Sequence, residues 1–308
     1  DLGAIRENVD NDIRGYVQEI NTLAQRIAEL NGQIVTSEVS GHEACDLRDE
    51  RDKLIDELSR IVNINVFERE DGSVSIMIGS EALVERTNTV TLSLASVRES
   101  GIVISSIRLG EDGREIRPTG GKLGGLLECR DTTLPSYISS LDELARAIVE
   151  AVNSVHRLGY GLDGTTGVDF FDPEGVTADT ISVSDTILND IDLIAASSDG
   201  TVGNGENALN IAALRYQAIA GGGSTTVDDF YSSLVGTLGL ESSTAASHKQ
   251  NEELLLQEVN ARRESVKGTS IDEEMTNLIA AQHAYQAATR LVSVIDELLT
   301  TMLTTIGP

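Results

Sequence analysis

Apolar residues at the start of the chain recur at alternating three- and four-residue steps: Ile5, Val9, Ile13, Tyr16, Ile20, Leu23, Ile27, Leu30 and Ile34. That period keeps one stripe of a helix facing a partner. Asn31-Gly32 and Ser40-Gly41 are expected to interrupt it. A second helix is predicted from about Glu43 to Val62, with Leu47, Leu54, Leu58 and Ile61 on one face. Its run of Asp46, Arg48, Asp49, Glu50, Arg51, Asp52 and Lys53 reads as a solvated face held by i,i+4 pairs. From Asn63 to about Gly120 the period changes to two: Ile64 and Val66, then Val74, Ile76 and Ile78, then Val90, Leu92 and Leu94, and Val103. With turn chemistry at Glu70-Asp71-Gly72 and Glu111-Asp112-Gly113, these predict half-buried antiparallel strands.

Helical periodicity returns after Gly125, through Leu134, Ile138, Leu141, Ala145, Ile148, Val152 and Val155. It breaks at Gly159, and the stretch from Val176 to Leu193 reads as short strands. Helix resumes near Glu206, pauses at Gly221-Gly222-Gly223 and runs on to Val266. A final helix carries a long seam at Ile271, Met275, Leu278, Gln282, Tyr285, Thr289, Val292, Ile295, Leu299, Met302 and Ile306. Acidic Asp272, Glu273 and Glu274 suit its positive N-terminal end. A stripe of that length wants covering helices, so these eleven residues form the expected partner and polymer interface.

The fold class expected from this alternation is α+β: an elongated, discontinuous rod of coiled-coil-like helices with an inserted antiparallel β-rich lobe. The rod takes 1–62 with 121–160 and 206–267, the outer lobe 63–120 with 161–205, and the last helix 268–308.

Composition narrows the function. The 50 Asp and Glu against 23 Lys and Arg give a net charge of −27, unsuited to nucleic acid or an anionic membrane surface. Aromatic residues are only 3 % with no Trp, which argues against an enclosed ligand pocket. Cys45 and Cys129 fall on different predicted helices and read as two buried free thiols. His42 and Cys45 have the spacing of some metal ligands but lack a second close pair. His156, His248 and His283 stand apart from any nucleophile. Asp163, Asp169 and Asp172 do not have the alternate spacing of a helix-loop-helix calcium site, so the loop reads as turn chemistry. The glycines at 120–125 and 221–223 match no phosphate loop and point to hinges or close backbone crossings. No catalytic set, metal site or cofactor loop emerges, and a non-enzyme is expected.

Three blocks resemble the flagellar axial proteins, and within them the hook-associated protein 1 family. The block 47–58, LRDERDKLIDEL, is similar to that family's second-helix motif. Block 121–172 leads from leucine and glycines into a helix with Asn153 and His156, then a Gly/Asp loop closed by Phe170-Phe171. Block 266–306 resembles the terminal helix shared by rod, hook and junction proteins, through Gly268, Asp272, Glu273, Glu274, Leu278, Gln282, Tyr285 and Gln286. The resemblance implies a structural subunit of the hook–filament junction, assembling through coiled-coil helices into an axial ring. It implies self-association, hook protein, other junction proteins and an export chaperone for the last helix as partners. It also implies an extracellular place, reached through the flagellar export channel without a cleaved signal peptide, and a chain that is a fragment lacking the N-terminal helical segment. The alternatives are another axial protein (hook or third hook-associated protein), or an acidic secreted adhesin or hydrolase using the β lobe.

Overall fold

The computed structural model describes the backbone of residues 2–39, 43–99, 102–110, 113–267 and 271–306. Side chains are described for all of these except 99, 266–267, 271–274 and 299–306. The expected break at Ser40-Gly41, the turn residues Glu111 and Asp112, and His42 lie outside the described residues. Chain contacts divide the protein into two units, Asp1–Leu234 and Val235–Pro308.

The first unit is α+β. It opens with helix α1 (Leu2–Glu38), followed by α2 (Cys45–Ile61) packed against it. Two antiparallel sheets follow. The first has the order β1 (Asn65–Glu68), β2 (Val74–Ile78), β3 (Glu81–Glu85), β4 (Asn88–Thr89), and the second β5 (Leu92–Glu99), β6 (Ile102–Leu109), β7 (Arg114–Glu115). Then come α3 (Gly121–Glu128), a π turn at Cys129–Thr133, α4 (Leu134–His156), α5 (Asp185–Asn189) and α6 (Glu206–Ala213). Helices α7 (Val227–Lys267) and α8 (Ile271–Ile306) complete the chain.

Val74, Ile76, Ile78, Leu83 and Val84 of the first sheet, and Leu92, Ile107 and Leu109 of the second, share one hydrophobic cluster with Ile13, Val17, Ile20 and Ile27 of α1 and Leu123 of α3. Both sheets therefore lie against α1, which serves as their common backing.

The buried residues of α1 are Arg6, Asp10, Ile13, Val17, Ile20, Leu23, Ala24, Ile27, Ala28, Leu30, Asn31 and Ile34. They hold the expected seam from Ile13 to Ile34 except Tyr16, and run one position off it only at the start, with Ile5 exposed and Arg6 buried. The polar members are matched to sheet backbone. The Asn31 amide donates to Val74 O at 2.9 Å while its oxygen accepts Val74 N–H at 3.1 Å, and it also donates to Arg86 O. Asn21 clamps Leu92 in the same two-way fashion, both bonds at 2.8 Å. Asp10 accepts Ser105 N–H at 2.8 Å and its hydroxyl at 2.9 Å. At about 100° per residue, positions 10, 21 and 31 fall within about 80° of one another, so all three lie on the side of α1 that faces the sheets. The expected break at Asn31-Gly32 does not occur, because Asn31 is a sheet anchor rather than a helix terminator. Thr87 lies 3.3 Å from where a Cβ on Gly32 would stand, so the sheet approaches closely there.

Asp10 also meets Arg130 of the π turn. Arg130 Nη1 donates to Asp10 at 2.6 Å and to Ser105 O at 2.7 Å, while its other donors fork onto Asp131 at 2.6 and 3.1 Å. Burial pushes the Asp10 carboxyl up, but the Ser105 N–H and the neighbouring hydroxyl and guanidinium groups outweigh it and hold the carboxyl below its ordinary value. The π turn has a local cause. Leu134 N–H donates to Cys129 O, five residues back, and Pro135 has no N–H to offer Arg130 O. The freed carbonyl accepts Arg6 Nε at 2.9 Å.

Two arginines assigned by pattern to the solvated face of α2 turn inward. Arg48 pairs with Glu38 through two hydrogen bonds, at 2.7 and 2.8 Å. Arg51 is buried and donates to Gly72 O at 2.6 Å. Cys45, at the start of α2, is exposed rather than buried, because α2 turns Leu58 and Ile61 to the core and leaves its first turn in solvent. Cys129 is half-buried and free, and burial pushes its thiol up. The glycines at 120–121 make a backbone crossing: Gly121 takes φ +64°, and Ile61 O lies only 2.5 Å from where a Cβ on it would stand, so no side chain fits.

Beyond α4 the expected strands of 176–193 are absent. That stretch forms α5 and a short 3₁₀ turn at Ile191–Leu193, with an isolated bridge pairing Val183 to Phe171, and side chains hold the residues that flank it. Asn153 clamps Phe171 two ways, at 2.9 and 2.8 Å. His156 is fully buried, its Nδ1 donating to Val168 O at 2.8 Å and its Nε2 accepting Ala195 N–H at 2.9 Å. These two bonds fix the neutral Nδ1–H tautomer. Asn207 of α6 donates to Ala195 O at 2.7 Å. The loop carboxylates serve their own turns, Asp163 with Thr165 and Asp172 with Glu174 N–H.

Replacing Asn31 by Leu strands Val74 N–H, Val74 O and Arg86 O in the core. A cost of about 2–3 kcal/mol is expected in urea unfolding followed by circular dichroism; a cost below about 0.5 kcal/mol would contradict the anchor role. His156→Phe leaves Ala195 N–H without an acceptor, and hydrogen exchange at Ala195 should accelerate about tenfold while α1 amides keep their protection. The Glu38 carboxyl is lowered to about 2, first by the Arg48 hydrogen bonds and then by Ala44 N–H. A depressed carboxyl stabilises the fold above its unfolded value and loses that contribution as pH falls toward the folded value. Stability should therefore drop between about pH 4.5 and 2, and Glu38→Gln should flatten that part of the profile. An unchanged acid profile in the variant would assign the drop to other groups.

Candidate assembly surface

In α8 the described members of the sequence-derived seam are all exposed: Met275, Leu278, Gln282, Tyr285, Thr289, Val292 and Ile295. The large apolar ones range from 46 % exposure at Ile295 to 75 % at Tyr285, so no described residue of their own unit covers them fully. The side chains of Ile271, Leu299, Met302 and Ile306 lie outside the described residues. Every described side chain in 235–298 is exposed, so this unit has no interior among the described residues.

The seam is not a single straight stripe. A three-residue step turns a helix back by about 60° and a four-residue step forward by about 40°, so alternating steps drift slowly. Thr289, Val292 and Ile295 are two threes in succession, which swings the stripe sideways. A second apolar line, Ile279, Leu291, Val294 and Leu298, is also exposed. The three/four count overlooked these four residues; scoring every apolar position by helical angle would have found them. The resulting broad face fits helices on more than one side, as in a bundle.

The chemistry of enzymes finds little support in the geometry. Among the described residues no group of three His, Cys, Asp or Glu could hold a metal. His248 and His283 are exposed on α7 and α8, and His156 has both ring nitrogens engaged. A shallow cleft between β6, β7 and the π turn is lined by Ser106, Glu115, Arg117, Arg130 and Asp131. Asp131 there is held by Arg130 and, at 3.2 Å, by Arg117, which leaves it a structural ion pair rather than a free acid. None of the described helices is long and apolar enough to cross a membrane.

Residues 1–171 match the family model described as flagellar hook-associated protein FlgK helical domain, and 266–305 match that of flagellar basal body rod FlgEFG protein C-terminal. The chain is 32 % identical to flagellar hook-associated protein 1 of Bacillus subtilis (strain 168), over 99 % of this chain and 68 % of that protein. It is 24 % identical to the protein of the same name from Escherichia coli (strain K12), over 91 % of this chain and 68 % of that one. A solved structure, the flagellar hook junction protein FlgK from Burkholderia pseudomallei, shares 26 % identity with a TM-score of 0.49, over 56 % of this chain and 32 % of that chain. The chain thus spans about two thirds of those two curated relatives and about a third of the solved one. With more than half its length matched by the helical-domain model and a whole-chain relative above 30 % identity, the chain belongs to the flagellar hook-associated protein 1 family.

Proposed function

We infer that this chain is a structural subunit joining the flagellar hook to the filament, and that α8 is its polymerisation element. The observation that carries this reading is the uncovered apolar face at Met275, Leu278, Tyr285, Val292 and Ile295, within the 266–305 segment that matches the rod-protein terminal model. Apolar area of that extent gains free energy only when covered, at about 25 cal/mol per Å², and the described residues of its own unit offer no cover. Segment 268–308 is then the tube-lining element.

The role is mechanical and needs no catalysis. Partners are further copies of the chain in a ring, hook protein and the other junction proteins. Before assembly an export chaperone shields α8, since isolated helices gain little stability without packing. The subunit works outside the cell and travels through the flagellar channel without a cleaved signal peptide.

Ile295→Asp tests the assignment. In the purified chain the residue is half in solvent, so thermal unfolding of the first unit should shift by less than about 0.5 kcal/mol. In flagellated cells the charge would be buried and unpaired at the assembled face, and filaments should fail to attach to hooks. Normal attachment would refute the docking role. Unfolding of the purified chain would instead assign α8 to an intramolecular core.

A further inference from the structure

Between Arg157 and Arg215 the sequence has no Lys or Arg and ten acidic residues, of which Asp163, Asp185, Asp190 and Asp192 are exposed. Among those acids stand four large aliphatic side chains in solvent: Leu162 at 68 %, Leu188 at 66 %, Ile191 at 72 % and Ile194 at 41 % exposure. Backbone bonds draw their segments together. Leu162 N–H donates to Asp192 O at 2.6 Å, and Ile194 N–H to Ile191 O at 3.1 Å. Gly161 lies so close to Asp192 O and Leu193 that it admits no side chain.

The layer beneath is the reverse of an ordinary interior. His156 and Asn207 are buried and hold the adjoining Ala195 by its backbone, while Ile187 and Ala195 are the apolar contribution inward. Stability alone would favour the larger aliphatics inside and the polar groups outside. Four outward aliphatics on a side-chain-pinned, positioned segment mark a contact surface.

We propose that this patch, 162 with 188–194, docks a cationic segment of another polypeptide, one that presents Lys or Arg around its own aliphatic residues. Charge complementarity selects that occupant. A second copy in a two-fold contact would bring the same acidic rim against itself, and a head-to-tail copy would bring a face of a chain whose net charge is −27, so charge favours neither. Of the flanking arginines, Arg157 is paired with Asp169 at 2.6 Å and Arg215 with Asp228 at 3.0 Å, which leaves the rim acidic. The patch lies on a different unit from α8, so the inference stands or falls apart from the polymerisation reading.

The test uses the full chain, isotope-labelled, and three synthetic helical peptides of about 18 residues. One has an aliphatic stripe flanked by Lys, one the same stripe flanked by Glu, and one the Lys residues with Ala in place of the stripe. The first should bind about tenfold more tightly than either other, with salt weakening it and amide shifts centred on 162 and 188–194. The double variant Leu188→Ser with Ile191→Ser should weaken it about tenfold while the Asn153 and His156 signals and thermal unfolding are unchanged. Equal binding of the Glu-flanked peptide, or of the Ala peptide, would reduce the patch to nonspecific grease or to bulk charge. Shifts centred on 275–298, or a concentration-dependent dimer that the double variant abolishes, would equally overturn the proposal.

Discussion

Three asparagines perform the same operation at three places in the fold. Asn21, Asn31 and Asn153 each accept the N–H and donate to the C=O of one residue in another element: Leu92, Val74 and Phe171. A carboxamide has the donor and acceptor spacing of a peptide unit, so each side chain acts as one rung of an adjacent strand. Strand ends and loops brought against a helix otherwise meet a surface whose own backbone is fully engaged, and their polar groups would be buried without partners. The clamps remove that penalty and fix the register at the same time. A slide of one residue along α1 would break the Asn21, Asn31 and Asp10 contacts together, so the sheets have one position on the helix rather than several.

The same logic explains why sequence reading succeeded with periods and failed with stripes. The change from helical to alternating patterning near Asn63, and back at the glycines near 120, follows from which side chains face apolar surroundings, and that is written directly in residue type. Arg6, Asp10, Asn31, Arg51, Asn153 and His156 are polar, so a pattern count assigns them to solvent. Each is buried because a specific backbone or carboxylate partner arrives from 12 to 124 residues away, a fact that no local window contains. The missing strands at 176–193 follow equally: side chains fix the flanking residues Phe171 and Ala195, and between them the backbone closes short local turns and meets loop carbonyls and amides such as Phe170 O and Leu162 N–H. In α8 the seam was legible because exposed aliphatics keep their period whether or not a partner is present, while the sideways swing at Thr289–Val292–Ile295 hid its second line.

The two units thus handle polarity in opposite ways. The first takes polar side chains inside and satisfies them one by one, which gives a single arrangement that does not depend on a second molecule. The described part of the second leaves its apolar side chains outside and has no interior to order them. The family matches divide along similar lines, with 1–171 covering the clamp-built region and 266–305 covering α8, the latter described for rod proteins. A face made of aliphatic steps can be covered by any helix of suitable period, whereas a set of asparagine clamps accepts one backbone register alone. Register specificity therefore belongs physically to the first unit, while the exposed face of α8 carries no such register. Substitutions that swap one aliphatic for another in α8 alter little by themselves, while an isosteric Asn→Asp exchange in the first unit removes a donor from a clamp and moves a charge out of water.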